Sequence, residues 1–161
     1  MRKIVVGVMG PGDGATALDL QNAYELGRLI AQAGWVLLTG GRDVGVMDAA
    51  SRGARHAGGL TIGILPGSDR AGLSDAVDIA ILTDLGNARN NINVLSSDVV
   101  VACGMGLGTL SEIALALKAR KPVVLLNPGQ ASWALFQNLS PDALFLSKHP
   151  TDAITIIKGV V

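Results

Sequence analysis

The chain contains a single cysteine, Cys103. No disulfide can form within it, and a reducing cytoplasm is the expected compartment. Aromatic residues make up only 3% of the sequence, so the core is built from Val, Ile, Leu and Ala, a mix that suits β-strands covered by small-residue helices. Neither sign of charge is in excess. Thirteen basic residues face thirteen acidic ones, which removes any global electrostatic case for nucleic acid or an anionic membrane surface, and anion binding must be local. No apolar run approaches the ~20 residues that a spanning helix requires, so no membrane association is expected. Met1–Met9 is strand-like and no cleavage-site pattern follows it, so no signal peptide is expected. The absence of any Gly-Lys-Ser/Thr excludes the usual P-loop. His56 and His149 stand far apart, with no cysteine or carboxylate at ligand spacing; both read as surface residues, and no protein-ligated metal is expected.

What is present is an alternation of apolar runs and glycine-rich breaks. The 161 residues, 49% of them hydrophobic, are enough for one domain with a substantial core, and residues 1–161 read as a single domain. Strands are expected at Ile4–Met9, Trp35–Thr39, Leu60–Leu65, Val77–Leu82, Val99–Ala102 and Pro122–Leu126, with a short one at Leu144–Leu146. Helices are expected at Ala17–Ala33, Val46–Ala57, Asn87–Ser96, after Gly108, at Trp133–Asn138 and at Thr151–Lys158. Thr16 or Asp13 is placed to cap the first helix. Ala49, Ala50, Gly53 and Ala54 are small enough to let the second helix pack closely on the sheet. Strands alternating with helices over this length predict a doubly wound parallel α/β sheet with helices on both faces.

That architecture puts ligands at the carboxyl ends of the strands, where the strand order reverses. Three glycine-rich segments fall at such ends: Gly10–Gly14, Gly40–Gly45 and Gly104–Gly108. The last is the most telling, because an apolar, β-branched run ends in glycine and opens directly onto a helix carrying Leu110, Ile113, Ala114 and Leu117. Free N–H groups and the positive end of the helix dipole then meet at one place, and the expected ligand is a small molecule carrying phosphate.

Single residues allow more than one role. Gly10-x-Gly12-x-x-Ala15 fits the loosened dinucleotide pattern, but no acidic residue follows the second strand to hold a ribose, which weakens a nicotinamide or flavin reading. Thr109-Leu110-Ser111-Glu112 fits a capping box. Glu112 equally fits a carboxylate that hydrogen-bonds a ribose or pterin group or moves protons. Arg89, flanked by Asn87, Asn90, Asn91 and Asn93, fits a phosphate clamp through paired N–H bonds, or an exposed arginine on a polar helix face. Cys103 reads as a small buried residue.

Two family resemblances gather these motifs. Gly40-Gly41 through Val44-Gly45-Val46-Met47, the Arg89 helix and Gly106-x-Gly108-Thr109-x-x-Glu112 resemble the Rossmann-like superfamily of cytokinin-activating phosphoribohydrolases, often mislabelled lysine decarboxylases. That likeness puts Arg89 and Glu112 on the two catalytic positions. The chain departs from the pattern at Asn90, where the hydrolases carry lysine, and at Gly104-Met105, where they carry Pro-Gly.

Over roughly Ile4 to Leu126 the chain also resembles the molybdenum cofactor carrier proteins of algae and related bacterial proteins, which share those departures. The matching stretches are Gly7–Gly12, Gly34–Arg42, Ala88–Asn93 and Gly104-Met105-Gly106. This resemblance implies a homotetramer that binds the molybdopterin-based cofactor, shields it from oxidation and supplies molybdoenzyme acceptors, without a reaction of its own. The implied cofactor-binding residues are Gly10, Pro11, Gly12, Gly40, Gly41, Arg42, Arg89, Asn90, Asn93, Gly104, Met105, Gly106, Gly108, Thr109 and Glu112.

Overall fold

The structure, a computed structural model, describes residues 2–161; Met1 of the strand-like run Met1–Met9 lies outside the described residues. Seven strands, β1 (Val5–Met9), β2 (Val36–Thr39), β3 (Thr61–Leu65), β4 (Ile79–Leu82), β5 (Val99–Cys103), β6 (Val123–Leu126) and β7 (Leu144–Ser147), form one parallel sheet. Six helices connect or flank them: α1 (Ala17–Gln32), α2 (Gly45–His56), α3 (Arg89–Leu95), α4 (Leu107–Lys118), α5 (Gln130–Leu139) and α6 (Pro150–Val160). The strand order is β4-β3-β2-β1-β5-β6-β7, so the winding reverses between β1 and β5. This is the Rossmann-like doubly wound arrangement that the alternation of elements predicts.

The period-2 geometry of a strand explains why the central runs are apolar throughout. Val6, Val8, Val99, Val101 and Cys103 point to a face covered by α1, α2 and α6, through Leu26, Ile30, Val46, Ala50 and Ile157. Met9, Val100 and Ala102 point to the other face, covered by α3, α4 and α5 through Val94, Ile113, Ala116 and Phe136. No helix among the described residues is long and apolar enough to cross a membrane.

Four local expectations are corrected. Gly53 opens space toward α1 rather than toward the sheet: a Cβ there would run into the carbonyl of Tyr24. β4 starts at Ile79, and as an edge strand it leaves Ile79, Ile81 and Leu82 exposed. The Asn87–Ser96 helix is a 3-10 turn over Gly86–Ala88 followed by α3. The capping box sits at the start of α1: Asp19 N–H donates to Thr16 Oγ1 at 3.1 Å, and Thr16 N–H donates to Asp19 Oδ2 at 2.9 Å. Thr109 and Glu112 form none, because α4 begins at Leu107 with Gly106 as its N-cap. Thr109 is therefore already inside the first turn.

Candidate functional site

The carboxyl ends of β1, β2 and β5 surround a cavity of about 340 Å³ at the reversal of strand order. Gly10, Pro11, Gly12 and Gly14 form the wall that follows β1, and Gly40 the wall that follows β2. Met105, Gly106 and the first turn of α4 close it from β5, while Asn87, Arg89 and Asn90 enter from the 3-10 turn and α3. The glycines have identifiable jobs. Gly104 takes φ +78, a left-handed conformation that turns the chain off β5 at once, and a Cβ there would sit 2.7 Å from the carboxyl carbon of Asp19. Gly40 leaves room for Arg89, since a Cβ would lie 2.9 Å from Arg89 Nη2 and 2.7 Å from Met47 Sδ. Gly106 caps α4 in extended conformation and offers no side-chain acceptor, so the first-turn N–H groups remain free for a ligand.

Of the fifteen residues implied by resemblance, eleven line this cavity: Gly10, Pro11, Gly12, Gly40, Arg89, Asn90, Met105, Gly106, Gly108, Thr109 and Glu112. The other four stand off the wall. Gly41 takes φ +79 and packs against Gly63, the exposed Arg42 bridges to Leu73, Gly104 abuts Asp19, and Asn93 is fully buried behind Glu112. Gly14, Met47 and Asn87 line the cavity although the resemblance assigns them no role. Met47 closes the Gly40–Met47 motif, and Asn87 flanks Arg89 in sequence, so both were within reach of a motif reading.

The electrostatics centre on Arg89 and Glu112. The Arg89 guanidinium donates from Nη1 to Asn90 Oδ1 at 2.5 Å and from Nη2 to the Gly40 carbonyl at 3.5 Å, while its buried Nε–H has no acceptor. Burial lowers its pKa, Glu112 acts against that shift and Arg42 adds to it. Glu112 is only 6% exposed, and burial pushes its carboxyl above the ordinary carboxylate range; the hydrogen bond from Asn93 and the charge of Arg89 oppose this without cancelling it. The two groups sense each other without pairing, for the ion pairs among the described residues are Arg2–Asp98, Arg28–Glu25 and Arg52–Asp48. Thr109 Oγ1 is also buried without a partner. Two wall residues thus keep unsatisfied polar atoms beside a helix N-terminus, an arrangement that an anionic group entering the cavity would satisfy.

Cys103 ends β5 beneath this floor. Its thiol lies against the Asp19 carbonyl at 3.3 Å, and burial pushes its pKa up to about 12. It is an inert packing residue.

The model of the SLOG cluster4 family matches residues 3–154. The molybdenum cofactor binding protein from the phototrophic bacterium Rippkaea orientalis is 63% identical, with a TM-score of 0.97 over 99% of this chain and 98% of that one. The chain belongs to the SLOG cluster4 family. The molybdenum cofactor carrier protein of Chlamydomonas reinhardtii is 52% identical, with a TM-score of 0.94 over 99% of this chain and 98% of its own. A cytokinin riboside 5'-monophosphate phosphoribohydrolase of Mycobacterium tuberculosis is 34% identical over 128 residues, 74% of this chain and 66% of that protein. Carrier proteins and hydrolases thus share this scaffold, and Asn90 is one of the two places, with Gly104-Met105, where the chain leaves the hydrolase pattern. Its carbonyl oxygen accepts from Arg89, whereas a lysine there would set an ammonium against the guanidinium.

Proposed function

We propose that the chain binds and carries molybdenum cofactor as cargo. In this reading the terminal phosphate of the molybdopterin meets the first-turn N–H groups of α4 and Arg89, and the polar pterin meets the asparagine side chains. The observation that carries it is the unpartnered Nε–H of Arg89, buried in a cavity walled by glycine loops. The cavity volume lies at the lower end of the range for small-molecule sites, and the 63% identical neighbour supports the same ligand. When bound, the cofactor brings the dithiolene-held molybdenum that an acceptor enzyme uses. The chain's own residues bind, orient and exclude water. Protection from oxidation, a cytoplasmic homotetramer and delivery to molybdoenzymes belong to this proposal. An anoxic equilibrium titration tests it: saturable binding with Kd in the micromolar range or below, about −8 kcal/mol or better, is expected. Absence of saturable binding would overturn it.

A second reading has its own support. A buried carboxyl whose pKa burial raises, set beside an arginine in the same cavity, suits general-acid chemistry on a nucleoside 5'-monophosphate, and the mycobacterial relative is a phosphoribohydrolase. Against it, Asn93 already engages Glu112, and Asn90 stands in place of the lysine. Release of free adenine from adenosine monophosphate by wild type, but not by Glu112→Gln, would put the hydrolase first.

A further inference from the structure

The side chain of Arg89 is held from α4 although it grows from α3. Asn90 is 6% exposed, so water does not replace its partners. Its Oδ1 accepts from Arg89 Nη1, and its Nδ2 donates to Ser111 Oγ at 3.0 Å. Ser111 O–H in turn donates to the Gly108 carbonyl at 2.6 Å. An amide has one accepting end and one donating end, so whatever captures Nδ2 decides which way Oδ1 faces. Ser111 captures it. Gly108 belongs to the first turn of α4, whose free N–H groups face the same cavity as Arg89.

We propose that Ser111 is a positioning residue for ligand binding. Through Asn90 it fixes the Arg89 guanidinium in register with the N-terminus of α4, so that both donor sets meet one anion without rearranging. Preorganised donors bind more tightly because ordering them costs nothing at the moment of binding. The inference rests on the reading of this cavity as the site of a phosphate-bearing ligand. It differs from a local helix role: a serine that only back-bonds to the carbonyl three residues earlier has no influence on Arg89.

The test uses the full chain and two readouts. In the anoxic titration with molybdenum cofactor, Ser111→Ala weakens binding about tenfold, and Ser111→Thr, which keeps the hydroxyl, restores it to within about twofold. The double variant Ser111→Ala/Arg89→Ala binds no more weakly than Arg89→Ala alone, because the two act as one unit. In the ligand-free protein, the Arg89 Nε–Hε resonance exchanges with water about tenfold faster in Ser111→Ala while the thermal midpoint is kept. Unchanged affinity in Ser111→Ala, additive losses, or an unaltered Arg89 resonance overturns the proposal. If wild type binds no cofactor, the carrier reading falls, and the link between Ser111 and Arg89 is decided by the resonance alone.

Discussion

Asn93 Nδ2 donates to Glu112 Oε1 at 2.9 Å across the interface of α3 and α4, with Asn93 fully buried. This bond joins residues far apart in sequence and supports the carboxyl from behind, leaving its other side toward the cavity. Asn93 Oδ1 has no partner of its own.

The raised pKa of Glu112 sets a direction for stability. A carboxyl that holds its proton more tightly in the fold than in the unfolded chain favours the fold at low pH, and that contribution is lost as pH rises through the folded pKa. Wild-type stability relative to Glu112→Gln is therefore expected to increase as pH falls from 7 toward the ordinary value of 4.5. Denaturant melts of both proteins across this range measure it; a constant difference would contradict the shift.

Arg89→Ala is expected to weaken molybdenum cofactor binding about 10- to 100-fold, the scale of losing a charge-assisted hydrogen bond, with the fold intact. Arg89→Lys recovers little, since an ammonium lacks the planar fork that reaches both Asn90 Oδ1 and the Gly40 carbonyl. Titration together with thermal unfolding separates binding from folding, and wild-type affinity in Arg89→Ala would remove it from the site.

Gly108→Ala separates the two in the opposite sense. A Cβ at Gly108 meets nothing within 4 Å, and the position is helical, so the fold gains up to about 1 kcal/mol from helix propensity. Gly108 lines the cavity, so a side chain added to this turn is expected to lower ligand affinity. A variant that is more stable but binds as well as wild type would mean that the ligand does not touch this turn.

Cys103 is expected to resist alkylation by iodoacetamide at pH 8 in the folded protein and to react on unfolding, because burial pushes its thiol up to about 12. Labelling at the native rate of a free thiol would show that β5 opens readily.

The sheet was legible in the sequence because parallel strands buried on both faces read as unbroken apolar runs. Ile4–Met9 and Pro122–Leu126 each end within a residue of β1 and β6. β4 was harder to delimit, since an edge strand half open to solvent has no sharp apolar boundary. The glycine loops were legible for a similar reason: only glycine suits the tight exit at Gly104 and the close approach at Gly40. The capping pattern misled at Thr109. A Thr-x-x-Glu spacing describes a local possibility, but α4 started earlier, and Asn93 gave Glu112 a buried partner that local chain geometry cannot foresee.

The amino-acid sequence by itself therefore determined the order of elements and the three glycine loops, because these follow from short-range periodicity and steric allowance. Only the tertiary structure decided which polar residues share a cavity, that Arg42 and Asn93 stand off its wall, and that hydrogen bonds run from Arg89 to Asn90 and from Asn90 to Ser111. Burial, and with it the lowered pKa of Arg89 and the raised pKa of Glu112, exists only once distant segments have packed and excluded water.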